Sequence, residues 1–140
     1  MRRKLPDTRR SITHHVEIVD PASGEFDLYI ITGLYEDGKP GELFLHMGKL
    51  GSTVNGLLDV IGILTSIGLQ YGVDVEALSR KLSKTSFVPY GTTSNPAIPT
   101  CTSIADYVFQ WLSSLASQKV VQVEVEVELP VRRSRRRKSK

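Results

Sequence analysis

Cysteine is almost missing from this chain. Cys101 is alone among 140 residues, which excludes an intrachain disulfide and any zinc site built on several thiolates. A reducing, cytoplasmic setting fits that usage. No apolar stretch follows Arg2, Arg3 and Lys4, so the N-terminus does not read as a secretory signal. A long hydrophobic run is missing too. The nearest, Val54 to Leu69, is interrupted by Asp59 and falls short of the roughly 20 residues a bilayer span needs, so no membrane contact is expected.

Acidic residues are scarce at both ends. Residues 1–10 hold five basic side chains against Asp7, and residues 131–140 hold seven with no acid. The span between keeps six basic and fourteen acidic side chains, a formal charge of −8. The overall +3 therefore averages an acidic body with two basic ends. At this length one domain is expected, large enough to bury a core.

Three runs alternate with period two. SITHHVEIVD puts Ile12, His14, Val16 and Ile18 on one face; FDLYIITG carries Phe26, Tyr29, Ile30 and Ile31; ELFLHM alternates Leu43, Leu45 and Met47 with Phe44 and His46. The short turns DPASGE and YEDGKPGE between them predict an antiparallel meander, since a brief link reverses a chain but cannot cross a sheet. From Ser52 the period changes to that of a helix. Val54, Leu57, Leu58, Ile61 and Leu64 mark one face, with Val60, Ile63 and Ile67 opposite. Apolar nearly all round, this helix is expected to be central and buried. Gly56, Gly62 and Gly68 are expected where another element approaches closely.

DVEALSRKLSK predicts a short helix with Asp74 as N-cap and Arg80, Lys81 and Lys84 near its C-terminal end. Residues 86–102 hold three prolines and no period, so a long loop is expected there, pinned or functional. SIADYVFQWLSSLAS predicts a third helix, and VVQVEVEVELP a strand with valines on one face and glutamates on the other. The predicted order is β-β-β-α-α-α-β, an α+β domain with a small antiparallel sheet packed against helices at 53–71 and 103–118. The chain divides into a basic arm (1–10), the domain (11–118), an amphipathic strand (119–130) and a basic tail (131–140). That strand is expected to close the sheet or to pair between two copies in a homodimer.

Four groups invite a chemical reading. Gly48, Lys49, Gly51, Ser52 and Thr53 sit before the apolar helix, but the lysine precedes the second glycine, so this is not a P-loop. Free N–H groups with Lys49 could hold an anion; equally, Ser52 or Thr53 could cap the helix while the glycines make the turn. His14 and His15 point to opposite faces of a strand, and with His46 they give no metal set. Cys101 has no nominated base and reads as buried. Arg132, Arg133, Arg135, Arg136, Arg137, Lys138 and Lys140 suit either a weak polyanion contact by counterion release or a solvated end. No pair of catalytic groups stands at a defensible spacing.

The stretches RRKLPDTRRSITH (2–14), GLYEDGKPGELFLHMGKLGSTVNGLLDVIGI (33–63), LQYGVDVEAL (69–78) and FVPYGTTSNPAIPTCTSIADYVFQWL (87–112) together resemble the TSCPD domain. That domain lies toward the C-terminus of adenosylcobalamin-dependent (class II) ribonucleotide reductases. The resemblance implies an appendage to a larger catalytic barrel, which carries the radical cysteines, the cobalamin contacts and the substrate pocket. The cysteine-rich end of the family's long members is replaced here by VEVEVELPVRRSRRRKSK, and the nearest string to Thr-Ser-Cys-Pro-Asp is Thr100-Cys101-Thr102-Ser103. The expectation is a non-catalytic accessory protein of deoxyribonucleotide synthesis, docking on a separate class II catalytic chain and binding no cofactor itself. Its docking surface is expected on the loop carrying Phe87, Pro89, Tyr90, Asn95, Pro96, Pro99 and Cys101, together with the Gly48–Thr53 junction. The alternative is a nucleic-acid- or nucleotide-binding protein using its basic ends.

Overall fold

The computed structural model describes residues 1–117. Strands β1 (Ser11–Asp20), β2 (Gly24–Leu34) and β3 (Pro40–Met47) form the expected meander. The β1–β2 turn closes at Gly24, φ 108°, a conformation open chiefly to glycine. Helix α1 (Ser52–Gln70) and α2 (Val75–Leu82) follow, and α3 runs over 104–117.

The stretch read as a bare loop differs from expectation. It contributes two short strands, β4 (Gly91–Thr93) and β5 (Thr100–Cys101), giving an antiparallel five-stranded sheet in the order β3-β2-β1-β4-β5. Backbone pairing of β4 to β1 and of β5 to β4 made these strands without any hydrophobic period. The strand expected at 119–130 and the tail at 131–140 lie outside the described residues.

One sheet face carries the core. Val16, Ile18, Phe26, Leu28, Ile30, Leu43, Leu45 and Met47 pack on Leu58 of α1 and on Ile104, Tyr107, Val108, Phe109 and Leu112 of α3. The other face leaves Tyr29, Ile31 and Phe44 exposed. The alternation in sequence decides this, since a strand sends successive side chains to opposite faces.

Helix α1 is not the buried rod its composition suggested. Leu57, Val60, Ile63 and Leu64 are all exposed. A polar stripe turns instead toward β3, the edge of the sheet among the described residues. Asn55 accepts from the Met47 N–H and donates to the Met47 carbonyl, both at 2.9 Å. Ser66 accepts from the Leu43 N–H at 2.8 Å and donates to its carbonyl at 3.3 Å, and Gln70 donates to the Gly41 carbonyl at 3.0 Å. The spacing works because fifteen helical residues rise about 22 Å while six strand residues rise about 20 Å. Gly62 is required in this contact: a Cβ there would lie 2.7 Å from the Leu43 carbonyl oxygen. Gly56, expected at a close approach, faces open space.

By length and composition α1 could cross a bilayer, yet in this fold its polar stripe is bound along β3. Its N-cap is Gly51, with no side-chain capping bond, so neither Ser52 nor Thr53 caps the helix. Asp74 does cap α2, accepting from the Glu76 N–H.

Candidate docking site

Residues of α1 and α3 line an apolar pocket of about 490 Å³ over the core. Its floor is Phe26 and Leu45; its walls are Val54, Leu58 and Ile61 of α1 and Ile104, Ala105 and Val108 of α3. Leu50 and Leu57 bound it on the α1 side and Phe87, Val88 and Pro89 on the loop side, and Ser23 is the one polar side chain among its lining residues. Phe87 and Val88 are exposed, Val88 at 59%. An uncharged cavity with an exposed apolar rim gains free energy by accepting apolar side chains from another surface, about 25 cal/mol per Å² covered.

The rim is held by polar contacts beneath it. Buried Asp20 accepts from the Ala22 N–H at 2.9 Å and the Tyr90 N–H at 3.2 Å. Those backbone donors hold its carboxyl below the usual carboxylate range, Ala22 first and Tyr90 second. The Phe87 N–H reaches the Thr102 carbonyl at 3.0 Å, and Thr102 Oγ1 donates to the Thr85 carbonyl at 2.7 Å. Gly91, at φ 157°, lies so close to β1 that a Cβ would stand 1.9 Å from the Val19 carbonyl oxygen.

The residues singled out in sequence divide between several places. Phe87 and Pro89 line the pocket, and Leu50, within the Gly48–Thr53 junction, lines it from the other side. Tyr90, Pro96 and Pro99 are exposed but do not line it. Asn95 turns inward to donate to the Tyr107 hydroxyl at 3.0 Å. Cys101 is buried, and burial pushes its thiol pKa up, against a nucleophilic role. The Gly48 N–H is taken by the Asp27 carbonyl at 3.0 Å, Lys49 sits exposed at φ 69°, and Gly51, Ser52 and Thr53 are exposed at the uncapped helix start. The seven basic tail residues lie outside the described residues. Sequence reasoning missed Leu57 and Val88, because an apolar residue does not announce whether it is covered.

The N-terminal arm is a strap. Arg2 Nε donates to Gln70 Oε1 at 2.8 Å, Arg3 stacks over the Tyr35 ring at 3.8 Å, and Arg9 pairs in bidentate fashion with Glu42 at 2.5 and 2.9 Å. These guanidinium groups are engaged within the fold.

The histidines separate as strand geometry requires. His15 pairs with Asp27 at 2.8 Å and stacks on Tyr29 on the outer face. On the inner face His14 stacks on Trp111 at 4.9 Å and lies 2.7 Å from the Tyr107 hydroxyl. Asn95 donates to the same hydroxyl, so the Tyr107 oxygen joins His14 to the β4–β5 loop. Burial, then the neighbouring His15, holds the His14 pKa below its ordinary value. Among the described residues no three His, Cys, Asp or Glu side chains gather as a metal set.

The TSCPD domain family matches residues 3–116. A vitamin B12-dependent ribonucleotide reductase of Rhodopirellula baltica is 45% identical over 111 residues, which are 79% of this chain and 10% of that protein. A reductase of the same name from Streptantibioticus cattleyicolor is 37% identical over 113 residues, 81% of this chain and 18% of that protein. One from Bradyrhizobium diazoefficiens is 36% identical over 113 residues, 80% and 9%. The chain therefore spans less than a fifth of these relatives. No solved structure matches it. With the match covering 3–116, the chain belongs to the TSCPD domain family and is homologous to that region of vitamin B12-dependent ribonucleotide reductases.

Proposed function

We propose that this protein is a non-catalytic accessory of a class II ribonucleotide reductase, docking on a separate catalytic chain in deoxyribonucleotide synthesis. The observation that carries the reading is the apolar pocket with its exposed rim of Phe87 and Val88. Apolar surface left open beside rigidly held backbone is what a partner interface uses as its core. Adenosylcobalamin does not fit here: the pocket's single polar side chain, Ser23, cannot meet that cofactor's many amides, and His14 is committed to Tyr107. The cofactor and the chemistry belong to the partner, and this chain supplies binding energy. The engaged arginines of the N-terminal strap are not free for a polyanion; the tail residues of that alternative lie outside the described residues.

The test titrates the protein into the class II catalytic chain of the same cell while following adenosylcobalamin-dependent ribonucleotide reduction. Saturable stimulation at fixed stoichiometry is expected, and Val88→Glu, on an exposed position, should abolish it while leaving the thermal unfolding curve in place. Absence of both binding and any change in turnover would refute the docking role.

A further inference from the structure

The exposed side of α1 carries a second feature, which meets the pocket only at Leu57 and does not depend on the reductase reading. Leu57, Val60, Leu64, Ile67 and the C-cap residue Tyr71 are spaced three, four, three and four along the helix. That is the interval of a helix–helix seam, not of a surface in contact with water. Leu64, at its centre, is 65% exposed. No charged residue interrupts the stripe; Asp59 lies on its flank. Ile63 slopes into a groove of about 420 Å³ whose far wall is Phe44, itself 51% exposed.

We propose that this stripe is a self-association surface on which α1 of one copy packs antiparallel against α1 of a second. About Leu64 the stripe is close to symmetric: Leu57 and Tyr71 stand seven residues to either side, and Val60 and Ile67 stand four before and three after. A two-fold axis there sets Leu64 against its counterpart, Val60 against Ile67, and Leu57 against Tyr71. Across a two-fold axis a patch meets its own copy, position i on j and j on i, and an uncharged stripe does so without burying like charges. Gly56, open to solvent, adds no bulk beside the seam, so axes can approach to about 8–10 Å at the shallow crossing of such pairs. The area suffices. Leu57, Val60, Leu64 and Tyr71 of the stripe, with Ile63 and Phe44 beside it, are 50–65% exposed and leave on the order of 100 Å² each in solvent. Two copies then bury about 1,200 Å², within the range of specific interfaces.

Sedimentation equilibrium on the full chain tests this. A concentration-dependent dimer is expected for the unaltered protein, with Leu64→Glu weakening it about 100-fold or more. Circular dichroism should show Leu64→Glu still folded, as befits an exposed position. Leu64→Cys in a Cys101→Ala background should oxidise to a covalent dimer, whereas Thr92→Cys in that background, exposed on β4 three strands from β3, should not. A monomer at every concentration, or a dimer that survives Leu64→Glu, would overturn the proposal. So would a monomeric protein in which Leu64→Glu instead abolishes binding to the catalytic chain, an outcome that assigns the stripe to that partner.

Discussion

Gly62→Ala should destabilise the protein although alanine is the better helix former. Inside a helix the exchange ordinarily gains up to about 1 kcal/mol. Here the new methyl would stand 2.7 Å from the Leu43 carbonyl oxygen, against 3.4 Å or more for ordinary contact. Either α1 or β3 must yield by about 0.7 Å. The Ser66 hydroxyl to Leu43 carbonyl bond, already 3.3 Å, would pass beyond useful length. Overpacking costs about 1–3 kcal/mol and the lost bond about 1 kcal/mol, so the net loss is about 1–3 kcal/mol. Urea unfolding at low protein concentration reads this as a midpoint lowered by about 1 M. Gly56→Ala, in the same helix but facing open space, is the control and should raise the midpoint. If the two substitutions move the midpoint alike, the packing of α1 on β3 is not as described.

Two further expectations follow from side chains inside the fold. Asn55→Ala leaves the Met47 N–H and carbonyl without their helix partner; it should cost about 2–3 kcal/mol, and hydrogen exchange at the Met47 amide should accelerate. Burial holds the His14 pKa below the ordinary imidazole value of 6.5 in the fold, so its neutral form contributes stability in full above pH 6.5. As the pH falls below 6.5 the unfolded chain binds the proton first, and stability declines until the folded imidazole also titrates. Denaturation midpoints between pH 8 and 5 should show that loss, and His14→Phe should remove this part of the slope.

The meander was legible because its alternation is strict: Val16 and Ile18, Leu28 and Ile30, Leu43 and Leu45 all point inward as period two demands. The helical period at 52–70 was legible for the same reason. What α1 packs against was not. Its apolar residues suggested burial on every side, whereas Asn55, Ser66 and Gln70, polar residues without an obvious task in sequence, decide its orientation. The β4 and β5 strands escaped notice since their pairing depends on Gly91 fitting against Val19 and on the Asp20 carboxylate holding Tyr90, and no local pattern encodes either. The 86–102 segment was legible as one unit, but only the fold separates Phe87 and Pro89, at the pocket, from Asn95, spent on the Tyr107 hydroxyl.

The way α1 lies along β3 has a consequence for solubility during synthesis and storage. A strand with free backbone groups on one side is a template for any other extended chain, the first step toward fibrous aggregates. Here Gly41, Leu43 and Met47 already spend backbone hydrogen-bonding capacity on Gln70, Ser66 and Asn55. Because the shield is hydrogen-bonded side chains rather than another strand, it travels with the domain. A module so protected can be joined to a larger chain or moved between chains without acquiring a sticky flank at the point where β3 meets solvent.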